Sequence, residues 1–311
     1  MYSLTLPWEA LGISAVWLVL MAFMVALPCS QVGSFLILRR MSLVGDAISH
    51  SVLPGIVIAF LFTGDLSSPW LIIGAGIAGL LVTIFIEMIH VGTRVKSDAA
   101  TGIAFTALFA LGVLLMQLYG GSKVDLDPDC VLYGQLDHIL EYEAVSIAGL
   151  DVPRPLVTMT AVAFFTLTTM FVFYRVLVLS TFDAGLAASY GYKPVMVHYG
   201  MMFVLSIVVV AAFQSVGAIL VIALLILPGA FAYMCTHKLP VMLSLAAGHA
   251  LLSAVLGLYI YAWFDCNLAG AVVLAGAALL VLAWLFGPVD GQLWKWKRSL
   301  GEVEKPDDLI L

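Results

Sequence analysis

Asp46, His50 and Pro54 recur at every fourth position in the stretch RRMSLVGDAISHSVLPGI, Arg39 to Ile56. On a helix that spacing places a carboxylate, an imidazole and a proline on one face. Proline has no N–H to return to the carbonyl four residues earlier, so the His50 carbonyl oxygen is freed beside the other two groups. Carboxylate oxygen with imidazole nitrogen suits Mn2+, Zn2+ or Fe2+, whereas copper(I) would ask for Cys or Met sulfur. Two side chains are too few to hold an ion. A twofold dimer would bring two copies of each to one axis. The competing reading is local: Asp46 pairs with Arg39 or Arg40, and His50 makes a packing hydrogen bond.

Other polar positions carry a weaker signal. Asp98 follows VKS and either caps a helix or joins the same ion path. Glu87 and His90 stand three residues apart at the end of an apolar run, where reaching toward water is the default. Pro228 frees the carbonyl of Leu224 and, with Gly229, predicts a bend that shapes or gates a pore. His249 lies deep in an apolar run and reads as a hydrogen-bonded packing residue. In FDAGLAASYGYKP, Asp183 is a good N-cap, Ala184 to Tyr190 a short helix containing Leu186 and Ala187, and Gly191 a natural stop. A short apolar helix outside a membrane is a liability unless it docks into a partner or lies at the interface.

The elements that must hold these groups follow from composition. Of 311 residues, 63% are hydrophobic and 10% charged, too little polar surface to cover a soluble core. Eight uncharged blocks appear: 10–38, 47–64, 66–86, 99–122, 155–174, 194–237, 239–264 and 266–289. A span needs about 20 helical residues, and 194–237 is roughly 66 Å long as helix, so it must turn back, near Gln214 to Gly217. The fold class is therefore an all-α polytopic helical membrane protein of eight to nine spans. They lie at about 12–38, 45–64, 66–91, 98–120, 154–178, 196–213, 216–236, 239–263 and 266–288, with a tail at 290–311.

Lys and Arg then set the orientation. With the N-terminus outside and the C-terminus in the cytoplasm, only Lys123 and Arg154 of the 13 basic residues fall outside. The loop 125–143 is acidic and would attract cations. No cleavable signal peptide is apparent. Cys29 and Cys235 read as small buried hydrophobes, while Cys130 and Cys266 share the outer side, where a disulfide between them is an open alternative.

Absent motifs exclude several functions. No P-loop is present, so any ATP hydrolysis must occur on another polypeptide. There is no zinc-protease signature, no GxSxG turn and no arginine ladder for voltage sensing.

RRMSLVGDAISHSVLPGI resembles the most distinctive segment of the permeases of bacterial ATP-binding-cassette importers for zinc, manganese and iron. VKSDAATGIAF (95–105), FDAGLAASYGY (182–192) and SVGAILVIALLILPGAFA (215–232) resemble further segments of that family in the same order. DLDPDCVLYG (125–134) looks like the outer loop of its manganese and iron branch. The resemblance implies a fold similar to the type II cobalamin importers, with about eight spans, in the bacterial cytoplasmic (inner) membrane. It implies a cytoplasmic ATPase dimer, an extracytoplasmic metal-binding protein, and a second copy or a paralogous permease, with membrane lipid around them and no nucleic acid. Residues 182–192 become the coupling helix entering the ATPase, and Asp46 and His50 lie on the metal path. No cofactor is bound permanently, and the divalent metal is cargo. The alternatives are a stand-alone proton-coupled transporter and a multi-span metal-dependent enzyme, the latter without a recognisable catalytic motif.

Overall fold

The computed structural model describes Trp8, residues 12–51, 53–64, 69–119, Leu136, 144–147, 150–288 and 291–292. Helix α1 (Ile13–Leu38) is followed by α2 (Ser42–Ser51), α3 (Leu53–Thr63), α4 (Pro69–Gly92) and α5 (Ser97–Tyr119). Strands β1 (Ala144–Ile147) and β2 (Leu150–Pro153) pair antiparallel, Val145 opposite Val152. Then come α6 (Arg154–Val172), α7 (Tyr174–Phe182), α8 (Ala184–Ser189), α9 (Pro194–Val216), α10 (Ala218–Cys235), α11 (Leu239–Phe264) and α12 (Leu268–Phe286). The expected outer loop 125–134, Lys123, Cys130 and nearly all of the tail 290–311 lie outside the described residues.

Helix is what hydrocarbon demands, because it satisfies each backbone N–H and C=O within one segment. Prolines open α6, α9 and α11, in the first turn, where a missing N–H is harmless. The Asn267 side chain caps α12, accepting from the Gly270 N–H at 3.1 Å.

Among the described residues seven helices, not the eight to nine expected, are long and apolar enough to cross a membrane. Residues Leu43–Thr63, spanning α2 and α3, count as one of them. The other two expected spans appear as shorter apolar stretches, Gly76–His90 in α4 and Leu220–Cys235 in α10. The long block does break at Gly217, whose φ of 79° and ψ of 165° belong to glycine almost alone. A single residue, however, is shorter than the roughly 2–5 residues that close an antiparallel helix pair. Accordingly α9 packs mainly on α4 and α6, while α10 packs on α1, α11 and α12. The two helices part rather than fold back on each other.

In lipid, apolar contact alone gives helices little reason to associate, so close fit decides. Ala246, Ala250 and Ala254 form a buried stripe at four-residue spacing along α11. At Gly257 of the same helix, an added Cβ would lie 2.7 Å from Val272 Cα of α12. Gly33 of α1 sits directly against the Leu225 carbonyl of α10, and a Cβ at Gly229 would meet Ser34 Cα at 3.1 Å. Pro228 and Gly229 are thus buried against α1 rather than facing an opening. His249 is buried as well: its Nε2 lies 3.1 Å from the Gly276 carbonyl and its Nδ1 3.3 Å from the Ser253 hydroxyl. The Gly276 carbonyl can only accept, so Nε2–H donates to it and ties α11 to α12.

A side chain at Gly33 has no room, so Gly33→Ala should lower stability by about 3 kcal/mol or more. Gly248→Ala, on the same bundle with nothing within 4 Å of the added atom, should leave the melting temperature in detergent unchanged or slightly raised.

Candidate functional site

The stripe expected on α2 is present. His50 Nε2 lies 3.5 Å from Asp46 Oδ1, one helical turn away. Their side chains are 28% and 46% exposed respectively, so both open onto a face that this chain does not cover. A carboxylate in a membrane-spanning segment is costly to leave in lipid, and such groups usually face water, a cavity or another protein surface.

Helix α5 lies along α2 and α3 and shapes the site from one side. A Cβ at Gly112 would lie 2.9 Å from Pro54 Cδ, so glycine there lets α5 seat against the proline ring. One and two turns earlier, the Phe109 and Phe105 rings stand 6.3 and 5.6 Å from the His50 ring. The imidazole is thereby walled on the α5 side and left open on the Asp46 side. Phe105, Phe109 and Gly112 were not singled out from sequence; their spacing of four and three residues, which puts them on one helical face, was the available signal.

Asp98 is exposed in the first turn of α5. Among the described residues no group of three or more His, Cys, Asp or Glu side chains is placed to hold a metal. One copy of the chain therefore offers Asp46 and His50 as a pair. Glu87 and His90 form no such group either; His90 Nδ1 instead lies 3.1 Å from the Val95 carbonyl, closing the turn between α4 and α5.

The local alternative for Asp46 required a bond to Arg39 or Arg40. Arg39 turns elsewhere: its Nε donates to Thr181 Oγ1 at 3.0 Å and its Nη2 to Ser180 Oγ at 2.8 Å. Arg40 is exposed, with φ of 58°. The corner between α1 and α2 is a tight stop, in which Arg40 N–H bonds the Ile37 carbonyl at 3.0 Å and Met41 N–H the Leu36 carbonyl at 2.9 Å.

The short helix α8 has the ends expected of it. Asp183 Oδ1 accepts from the Leu186 N–H at 2.8 Å. Gly191, with φ of 85°, terminates it, Tyr192 N–H bonding the Ala187 carbonyl at 3.1 Å. Its faces correct one expectation. Ala187 is wholly buried in its own chain and is not a docking residue. The outward groups are Ala184, Gly185 and Leu186, with Phe182, Tyr190 and Tyr192 beside them. A one-and-a-half-turn helix has too few residues for sequence periodicity to tell these faces apart.

Ala187→Arg should accordingly damage the chain itself, forcing a charge into a closed site and lowering folded yield in detergent several-fold. Leu186→Arg should leave yield unchanged, and Asp183→Ala should cost about 1 kcal/mol by loss of the cap. Thermal unfolding of the three variants checks this ordering.

Known proteins share this arrangement over most of the chain. The manganese transport system membrane protein MntC of Halalkalibacterium halodurans is 41% identical over 281 residues, covering 89% of this chain and 90% of its own. The zinc transport system membrane protein TroD of Treponema pallidum is 43% identical over 273 residues, covering 88% of this chain and 74% of its own. A solved structure, PsaBC from Streptococcus pneumoniae in complex with Fab, superposes with a TM-score of 0.74 at 32% identity, over 91% of this chain and 94% of that one. Residues 14–287, which hold all the helices described above except Ile13 at the start of α1, match the ABC 3 transport family, and the chain belongs to that family.

Proposed function

We propose that this chain is the membrane subunit of an ATP-driven importer of a divalent transition metal, Mn2+ or Zn2+, in the bacterial inner membrane. The observation that carries the reading is the Asp46–His50 pair, ion-binding in chemistry and open on one face. Family membership and the names of the manganese and zinc relatives support it. Iron suits the same donors but has no such support. A second copy of the chain or a paralogous permease would cover the open face and supply the missing ligands. Asp98 is a further ligand candidate once a partner is in place.

Energy enters from partners. The α8 segment, with Leu186 and Tyr190 outward, is proposed to dock into a cytoplasmic ATPase, and an extracytoplasmic binding protein to deliver the ion. Alternating access would bend the chain near Pro54, while Pro228 and Gly229 hold α10 to α1. A stand-alone proton-driven transporter has less support, because it needs neither an ATPase nor a docking helix. The distribution of basic residues supports a cytoplasmic α8 and C-terminus and an outer N-terminus.

Two measurements test the reading. Asp46→Asn and His50→Ala should each reduce Mn2+ or Zn2+ uptake into vesicles at least tenfold per assembled complex, a loss of about 1.4 kcal/mol or more in binding or transport. Near-normal uptake per complex would remove both from the metal path. Single cysteines at positions 94 and 186, in a cysteine-free background, should react with impermeant reagents only from the cytoplasmic side; external labelling would reverse the orientation.

A further inference from the structure

Arg39 sits half-buried at the end of α1 and donates to two hydroxyls, Thr181 Oγ1 and Ser180 Oγ. Among the described residues no carboxylate lies within ion-pair distance of it. The Ser180 hydroxyl is already directed at the Leu177 carbonyl, 3.3 Å away, which leaves its lone pairs for the guanidinium. Burial draws the Arg39 pKa down from its usual range, yet a guanidinium stays charged at neutral pH. Ser180 and Thr181 belong to the last turn of α7, and Asp183, two residues on, caps α8. Arg39 itself is the C-cap of α1 in the corner that leads into α2, seven residues before Asp46.

We propose that Arg39 is a positioning residue that couples the cytoplasmic helix α8 to the metal-bearing helix α2, with Ser180 and Thr181 as its acceptors. This rests on the transport reading above. A displacement of α8 moves the last turn of α7, which is joined to α8 through the Asp183 cap. The Arg39 fork carries that displacement across to the corner, where the Met41 carbonyl accepts from the Val44 N–H of α2 at 3.1 Å and passes it on. No loop intervenes. Neutral hydroxyls bind a guanidinium less strongly than a carboxylate does, so the contact can be released and remade in each cycle. An anchor of purely structural purpose gains more from an acidic partner. His198 on α9, within electrostatic reach of both Arg39 and Glu87, brings a third element to the same cluster.

The test uses the permease assembled with its ATPase in proteoliposomes, supplied with Mn2+-loaded binding protein. The quantity read is radiolabelled Mn2+ moved per ATP hydrolysed. Arg39→Lys keeps the charge and loses the fork; the double variant Ser180→Ala/Thr181→Ala keeps the arginine and removes both acceptors. Each should lower the Mn2+-per-ATP ratio about fivefold or more, the lower end of ordinary coupling between sites. The triple variant should be no worse than Arg39→Lys alone, as for groups acting through one contact. A contact that merely holds the fold would reduce the yield of complex and leave the ratio intact, which overturns the proposal. Should Arg39→Lys assemble poorly, the double variant decides, since it removes only two hydroxyls. If the unmodified complex moves no Mn2+, the transport reading itself fails and takes the coupling role with it; a normal ratio in the double variant sinks the coupling role alone.

Discussion

A carboxylate and an imidazole cannot be left facing hydrocarbon, and the layout of this chain follows from that constraint. Asp46 and His50 are held on α2 with part of each side chain uncovered. Helix α5 closes the His50 flank with two aromatic rings, and it comes near enough to do so because Gly112 offers no side chain to Pro54. Among the described residues the opposite flank is left partly exposed. An uncovered carboxylate in a membrane-spanning helix is costly unless it meets a cavity, water or a partner surface.

How far the chain could be read without coordinates depended on how local the physics was. Long apolar runs declare membrane helices because burial in lipid is decided residue by residue, and the break at Gly217 was legible because few other residues tolerate that backbone. The caps of α8 were legible for the same reason, since Asp183 and Gly191 act on bonds within a few positions of themselves. The inward face of Ala187 was not, because burial against a distant segment leaves no local mark on so short a helix. Nor was the partner of Arg39, which lies about 140 positions further along the chain. The count of spans erred at α10, where apolar length alone cannot distinguish a hairpin from two helices that diverge at a one-residue joint.

The two short-range stops, at Arg40 and at Gly191, use one device for different ends. In each, the residue after the helix cap adopts positive φ so that the last carbonyls find donors. Glycine does this without strain, whereas arginine does so at a cost of roughly 1 kcal/mol. The strained version stands at the corner before α2, the helix of Asp46 and His50. There the neighbouring Arg39 is drawn to α7, and Arg40 is left to water.

Where Gly33 meets the Leu225 carbonyl, main chain rests on main chain with nothing soft between. Side chains are the cushions of a protein interior; they change rotamer and absorb small displacements. With none at this crossing, α1 and α10 have little compliance where they touch. Any bending of the bundle would fall instead on the sparse joints elsewhere: the corner at Arg40, the single residue at Gly217, and the proline beside His50.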